Sequence, residues 1–334
     1  MPKLTPTAIR TWADEIGTSH QLKAELDFHL VNILNGIADD ATLMERLYLK
    51  GGTAINKLYL RDLSRLSIDI DLNQIGSKNA VLSEKDKITS ELMKIISSQD
   101  DSYTVKIEEK KYEQTTIRVT YPSLVGMSKQ HIKVEISHVE RFPILPPIKK
   151  RLRLPEGEGA KITTYRLEEL TATKIRALYD RLKGRDIYDL WSISHMPSID
   201  KTATRKLFLY YFYRGRKVFN PKLFSGRLEK SVRENMIGDD VSGYVRPNVG
   251  FGLRDDAREV LNWLGFLNQL DEADRDFILL ARILLGKGAI PKEKRSEVNA
   301  ITYPLIHLFG GKQEITEEAR QSKVSDIKLF SENN

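Results

Sequence analysis

Asp69 and Asp71 carry the clearest chemistry in the sequence. They stand two apart in Ser67-Ile68-Asp69-Ile70-Asp71-Leu72. Alternation along a strand puts both carboxylates on one face and Ile68, Ile70 and Leu72 on the other. Two acids side by side repel, and a packed core gives no reason to place them so. A divalent cation does: Mg²⁺ takes one or two carboxylates and completes its shell with phosphate oxygens and water. Mn²⁺ suits the same oxygen donors. Asp69 and Asp71 are therefore read as metal ligands, against the plain alternative of an exposed strand face. Glu135 lies on a later alternating segment, where Ile132, Val134 and Ile136 oppose Lys133, Glu135 and Ser137. It is a candidate third carboxylate, able to bind metal near the reaction and to orient or deprotonate an attacking hydroxyl. The alternative is an ordinary exposed residue.

Upstream stands Lys50-Gly51-Gly52-Thr53. Paired glycines allow torsions closed to other residues and a close approach of backbone to phosphate. Thr53 would begin a helix whose free amides and hydroxyl face an anion, although Thr also caps helices routinely. The pattern is not a Walker loop, because no Lys-Ser/Thr pair follows the glycines. Lys50 either meets a triphosphate or ends a strand in water. Arg65 and Ser67 share the strand face of the acids by period two and are candidate neighbours of the nucleotide.

Farther on, Ile175, Leu178 and Leu182 form a core stripe, and Lys174 and Arg181 occupy a neighbouring helix face. Gly184 is expected to end this helix and Asp186 to cap the next. Asp189, between Tyr188 and Trp191, needs a charged partner if buried; Lys174 or Arg185 supplies one. Lys174, with Arg181, could then counter triphosphate charge while Asp189 positions Lys174 or the nucleotide. The structural alternative is an ion pair joining two helices.

The elements that must hold these groups follow from periodicity. Helices are expected over two segments of 8–38, then 53–62 and 83–98, with strands at 46–49, 66–73, 103–109, 115–121 and 130–138. This order argues an α+β domain with a mixed sheet. Residues 142–160, with four prolines, two glycines and Lys149-Lys150-Arg151, read as a connector. The domains are accordingly expected at 1–145 and 146–334. The second domain should be helical, over 167–183, 186–195, 202–216, 255–269, 272–286 and 293–309, ending in a loose polar tail.

The chain has 334 residues, 40% of them hydrophobic and 30% charged, which fits a globular protein with room for two domains. No apolar run approaches the ~20 residues of a membrane span, and the N-terminus lacks an apolar signal core. The lack of cysteine excludes disulfides and thiolate chemistry; a cytoplasmic location is the natural expectation. Residues 141–185 hold twelve Lys/Arg against five Asp/Glu, the whole of the net charge of +7. Charge so concentrated favours a polyanionic partner, with Lys149, Lys150 and Arg151 as the best phosphate patch. Residues 205–217 interleave aromatic and basic residues, but their helical spacing favours a core helix over base stacking.

Together these residues resemble the AbiEii/AbiGii-type nucleotidyltransferases, toxins of bacterial toxin–antitoxin pairs that include the mycobacterial MenT enzymes. The resemblance rests on Lys50-Gly51-Gly52-Thr53-Ala54, on Arg65-Leu66-Ser67-Ile68-Asp69-Ile70-Asp71-Leu72, and on Lys174 and Arg181 with Arg185-Asp186-Ile187-Tyr188-Asp189-Leu190. Lys174 and Asp189 keep the family's offset of fifteen. The gap from Thr53 to Asp69 is longer than in compact members. The resemblance implies a polymerase-beta-like nucleotidyltransferase core with a C-terminal helical domain. It also implies metal-dependent transfer of a nucleoside monophosphate from NTP to an RNA hydroxyl, the tRNA 3′ end in characterised members. A cognate antitoxin is implied as partner. Two alternatives stand beside this: transfer to a protein side chain or small molecule, and a non-catalytic nucleotide-binding module.

Overall fold

The structure is a computed structural model that describes residues 4–60, 65–154, 157–197, 199–246, 249–287, 304–309 and 314–326. The chain divides into two compact units. Unit 1 takes residues 1–141, 147–165 and 241–251; unit 2 takes the rest.

Unit 1 opens with helices α1 (Pro6–Glu15), α2 (Gln21–Asp39) and α3 (Ala41–Arg46). Strand β1 (Leu47–Lys50) runs directly into helix α4 (Gly51–Leu58), and strand β2 (Asp69–Gln74) precedes helix α5 (Lys78–Gln99). Strands β3 (Thr104–Lys110), β4 (Gln114–Pro122) and β5 (Lys129–Ser137), all three expected, pair in turn as an antiparallel meander. Strands β6 (Ile148–Leu154) and β7 (Gly157–Thr164) complete a seven-stranded sheet of order β3-β4-β5-β2-β1-β7-β6. It is mixed as expected: β1 is antiparallel to β2 but parallel to β7, and β2 is parallel to β5. Leu47, Leu49, Ile70, Leu72, Val134 and Ile136 are fully buried and form the core beneath the site. In α2, Leu30 and Leu34 are fully buried, whereas Leu22 in its first turn is 45% exposed.

The connector expected over 142–160 is a correction. Its prolines fall at 143, 146, 147 and 155, outside β6 and β7, and between them lies an alternating segment that pairs as a hairpin. Proline composition marked the ends of this hairpin and masked its strands.

Unit 2 is helical. It contains α6 (Leu167–Arg181), α7 (Gly184–Ser194), α8 (Lys201–Arg214), α9 (Pro221–Arg233), α10 (Leu253–Trp263), α11 (Glu272–Leu284) and short helices α12 (Ile306–Phe309) and α13 (Glu317–Gln321). Helix α9 had no counterpart in the sequence reading, although its start is signalled by an Asn220 cap and Pro221 in the first turn. The helix expected at 293–309 lies outside the described residues except for its last turns, as does the tail beyond residue 326. Leu182, in the left-handed region at φ 50°, ends α6, not Gly184. Gly184 instead opens α7, its amide donating to the Gly238 carbonyl at 2.8 Å. Helix α8 is core on nearly all sides. Its Arg205 and Lys206 are neutralised by Asp274 at 2.6 Å and Asp271 at 2.8 Å, so its basic residues serve packing.

Candidate functional site

Three neighbouring strands of unit 1 bring the candidate residues into one row. Lys50 at the end of β1 is the register partner of Asp71 on β2, and Asp71 is the partner of Glu135 on β5. Register partners share a sheet face, at a strand separation of ~4.8 Å. Asp69 lies two residues before Asp71 and pairs with Lys133. Ile70 and Leu72 turn into the core with no exposure, so burial itself sets the two aspartates on the open face.

The glycine turn closes directly on this row. Gly51 adopts φ +72°, the left-handed region. A Cβ built there would stand 2.2 Å from Asp71 Oδ2, so only glycine fits beside that carboxylate. Helix α4 begins at Gly51, two residues earlier than expected, and points its N-terminal amides from beside Asp71. Thr53 differs from expectation. It is buried, and its hydroxyl donates to the Asp69 carbonyl at 2.6 Å. It fastens α4 to the start of β2, so its proton is committed to the backbone and not to an anion.

Lys50 is also engaged. Its Nζ is 3.1 Å from Glu140 Oε2, and the same oxygen accepts from Asn73 Nδ2 at 3.1 Å. Asn73 in turn donates to the Tyr165 hydroxyl at 2.6 Å. Glu140 was not singled out from the sequence; a carboxylate shortly after β5 gave no periodic signal there. Arg65 and Ser67 do not share the acids' face, because the strand begins only at Asp69 and both side chains are buried. The Ser67 amide donates to Asp27 Oδ1 at 2.9 Å, and the Arg65 amide to Asn56 Oδ1 at 2.8 Å. These two residues anchor the segment that leads into Asp69.

Asp27 is a second organising acid that the sequence reading missed. It is fully buried in α2 and also receives Lys57 Nζ at 2.5 Å and Trp12 Nε1 at 3.2 Å. Burial holds the Lys57 ammonium below the usual lysine range; Asp27 opposes this, and Arg65 and Arg246 add to it.

The donor set suits a hard divalent cation. Asp69 and Asp71 are partly exposed carboxylates on one strand face. Among the described residues no group of three acids or histidines is drawn together as a ready-made metal cage, so Glu135 stands beside the pair and not within it. Two carboxylates with the remaining positions left to phosphate and water match magnesium's preference.

Unit 2 holds its own charged cluster. Lys174 on α6 is buried, with Nζ 3.1 Å from Asp186 Oδ1 and 2.9 Å from Asp189 Oδ2. Both aspartates are fully buried on α7. The expected Lys174–Asp189 approach is therefore present, and Asp186 joins it instead of capping the helix; the cap position is Lys183. Arg181, with half its side chain exposed, grips Asp186 through Nε and Nη2 at 2.7 and 2.8 Å. Burial alone would raise the Asp186 carboxyl, but Lys174 and Arg181 outweigh it and hold the group below the ordinary carboxylate range. Arg185 pairs with Asp240 at 2.8 Å, not with Asp189.

The basic run lines a cleft of about 880 Å³ in unit 1, shared with Lys57, Tyr59 and Arg246. Lys149 and Arg151 project outward from β6, whereas Lys150 lies half-buried over the Tyr59 ring, 3.9 Å from its centroid.

A sequence profile for the family described as nucleotidyl transferase AbiEii toxin, type IV TA system, matches residues 32–264. No curated protein matches the sequence significantly. Among solved structures, MenT4, a nucleotidyltransferase toxin from Mycobacterium tuberculosis H37Rv, superposes with a TM-score of 0.65 at 19% identity, covering 88% of this chain and 97% of that one. JHP933 from Helicobacter pylori gives 0.49 at 19% identity, covering 79% of this chain and 99% of that one. At 19% identity the likeness to MenT4 is one of fold.

Proposed function

The chain belongs to the AbiEii nucleotidyl transferase toxin family of type IV toxin–antitoxin systems, and from that premise we propose that it transfers a nucleoside monophosphate from NTP to an RNA hydroxyl. The observation that carries this reading is the Lys50–Asp71–Glu135 row with Gly51 closed against the Asp71 carboxylate. Asp69 and Asp71 would hold Mg²⁺ or Mn²⁺, which when bound neutralises charge on the phosphates and on the leaving pyrophosphate. The amides opening α4 receive phosphate oxygens, a role helix N-termini suit. Glu135 takes the proton of the acceptor hydroxyl, making it a better nucleophile. As the new P–O bond forms, the bond to pyrophosphate breaks. Lys50 lends positive charge at the end of β1, steadied by Glu140. In unit 2, Asp186 and Asp189 fix the Lys174 ammonium and Arg181 braces Asp186, an ion-pair cluster assigned to holding α6 on α7.

RNA is favoured as acceptor by the exposed cations Lys149, Arg151 and Arg153 along β6, with tRNA as the candidate and arrested translation as the consequence. An antitoxin partner follows from the family. Among the described residues no helix is long and apolar enough to cross a membrane, and the proposed site of action is the cytoplasm. The test is incubation with each labelled NTP, Mg²⁺ and total cellular RNA. Label entering a tRNA-sized band supports the reading; label confined to protein contradicts the choice of acceptor.

A further inference from the structure

The β6–β7 hairpin carries a charge pattern that folding does not explain. Burial alternates along β6, so Lys149, Arg151 and Arg153 stand on the exposed face while Leu152 turns inward. Strand geometry spaces them ~6.6 Å apart, comparable to successive phosphates on an extended polynucleotide. Directly across the ladder from Arg151 stands a fourth cation, Lys161. Like charges opposed across strands destabilise a sheet. Two acids meet this cluster, Glu158 at 3.0 Å from Arg151 and Glu15 at 3.7 Å from Arg153, both solvent-exposed pairs of small worth. Lys149 and Lys161 have no ion-pair partner among the described residues.

Lys149, Arg151 and Arg153 line the cleft of about 880 Å³, whose far wall is the end of α4. Tyr59 sits there with its hydroxyl donating to the Tyr165 carbonyl at 2.5 Å, so the ring is held in place. Helix α4 has eight residues, beginning against Asp71 and ending at this wall. At 1.5 Å per residue it spans ~12 Å, so one short helix links the carboxylate row to the basic cleft within the same unit.

We propose that this cleft is the binding track for the sugar–phosphate backbone of the acceptor RNA. Lys149, Arg151 and Arg153 take successive phosphates, Lys161 adds its charge opposite Arg151, and Tyr59 lines the far wall. The proposal rests on RNA being the acceptor. It refines the basic run to the outward residues and adds Arg153 and Lys161, which sequence clustering alone did not select.

Binding of fluorescein-labelled total tRNA to the full chain, measured by anisotropy over a salt series, tests it. The K149E/R151E/R153E variant is compared with K87E/K94E/K106E, which removes equal charge from exposed positions on α5 and β3. Neutral K149Q/R153Q serves as a milder variant, with thermal melting to certify folding. The track predicts at least tenfold weaker binding for the β6 reversal than for the control. It also predicts a log–log salt slope shallower by about 2, from three lost contacts at ~0.7 each for single strands. Equal affinity and slope in the two reversals, or no tRNA binding by the parent chain, overturns the track. The outcomes separate from the transfer reading. RNA labelled normally with binding insensitive to β6 reversal sinks the track alone. Binding lost with no RNA ever labelled sinks the transfer reading alone.

Discussion

The Asp71 carboxylate fills the space that a side chain on Gly51 would need, with the Cβ position 2.2 Å from Oδ2. The glycine turn and the aspartate strand are thus one feature, and the turn's left-handed φ of +72° is what lets β1 enter α4 so close to the acid. Gly51→Ala should lose about 1–2 kcal/mol of stability from the torsion alone and displace the carboxylate as well. We expect NMP transfer to fall at least tenfold in protein that still melts cooperatively. Wild-type transfer rates in a folded Gly51→Ala protein would show that the turn is not part of the site.

Thr53 distinguishes anchoring from anion binding. Its hydroxyl donates to the Asp69 carbonyl, so Thr53→Ser should behave like the parent protein. Thr53→Val should lose about 1 kcal/mol, the worth of a typical hydrogen bond, and several-fold in transfer as the start of β2 loosens. Urea unfolding together with NTP titration checks this. A raised KM for NTP at unchanged stability would instead mean that the hydroxyl serves the nucleotide.

The two aspartates, the glycine turn and the Lys174–Asp189 offset were legible because each rests on local rules: period two, positive φ and helical spacing. Arg65 and Ser67 lie off the acids' face for one reason. Their partners Asn56 and Asp27 come from other elements, and no local pattern announces such pairs; the same holds for the Glu140 partner of Lys50. Asp186 illustrates the same limit. Its position fitted a helix cap, yet tertiary packing buries it between Lys174 and Arg181. The β6–β7 hairpin was hidden by composition, since flanking prolines outweighed a short alternation.

Asp186 gives a pH prediction. Its folded-state carboxyl lies below the ordinary value, with Lys174 and Arg181 overcoming the effect of burial. A depressed carboxyl stabilises the fold fully above its unfolded value of about 4. That stability is lost as pH falls through the folded value. Arg181→Ala removes part of the depression, so acid unfolding should begin at higher pH. At pH 7 the cost should stay below about 1 kcal/mol, because Arg181 is half-exposed. Lys174→Ala should cost about 3–5 kcal/mol, since it leaves two buried carboxylates facing each other. Urea unfolding at pH 7 and an acid titration followed by circular dichroism measure both. Indistinguishable acid transitions for Arg181→Ala and the parent would contradict the cluster's charge balance.

The central claim is that the face of β2 is a metal-dependent transfer centre. Asp69→Asn keeps the shape and the core packing of Ile70 and Leu72 while removing one negative charge. With α-labelled NTP, Mg²⁺ and total RNA, the parent chain should label RNA. Asp69→Asn should reduce that labelling at least a hundredfold, with thermal stability equal to or above the parent's once the two carboxylates no longer repel. Undiminished labelling of RNA by folded Asp69→Asn protein would contradict the account.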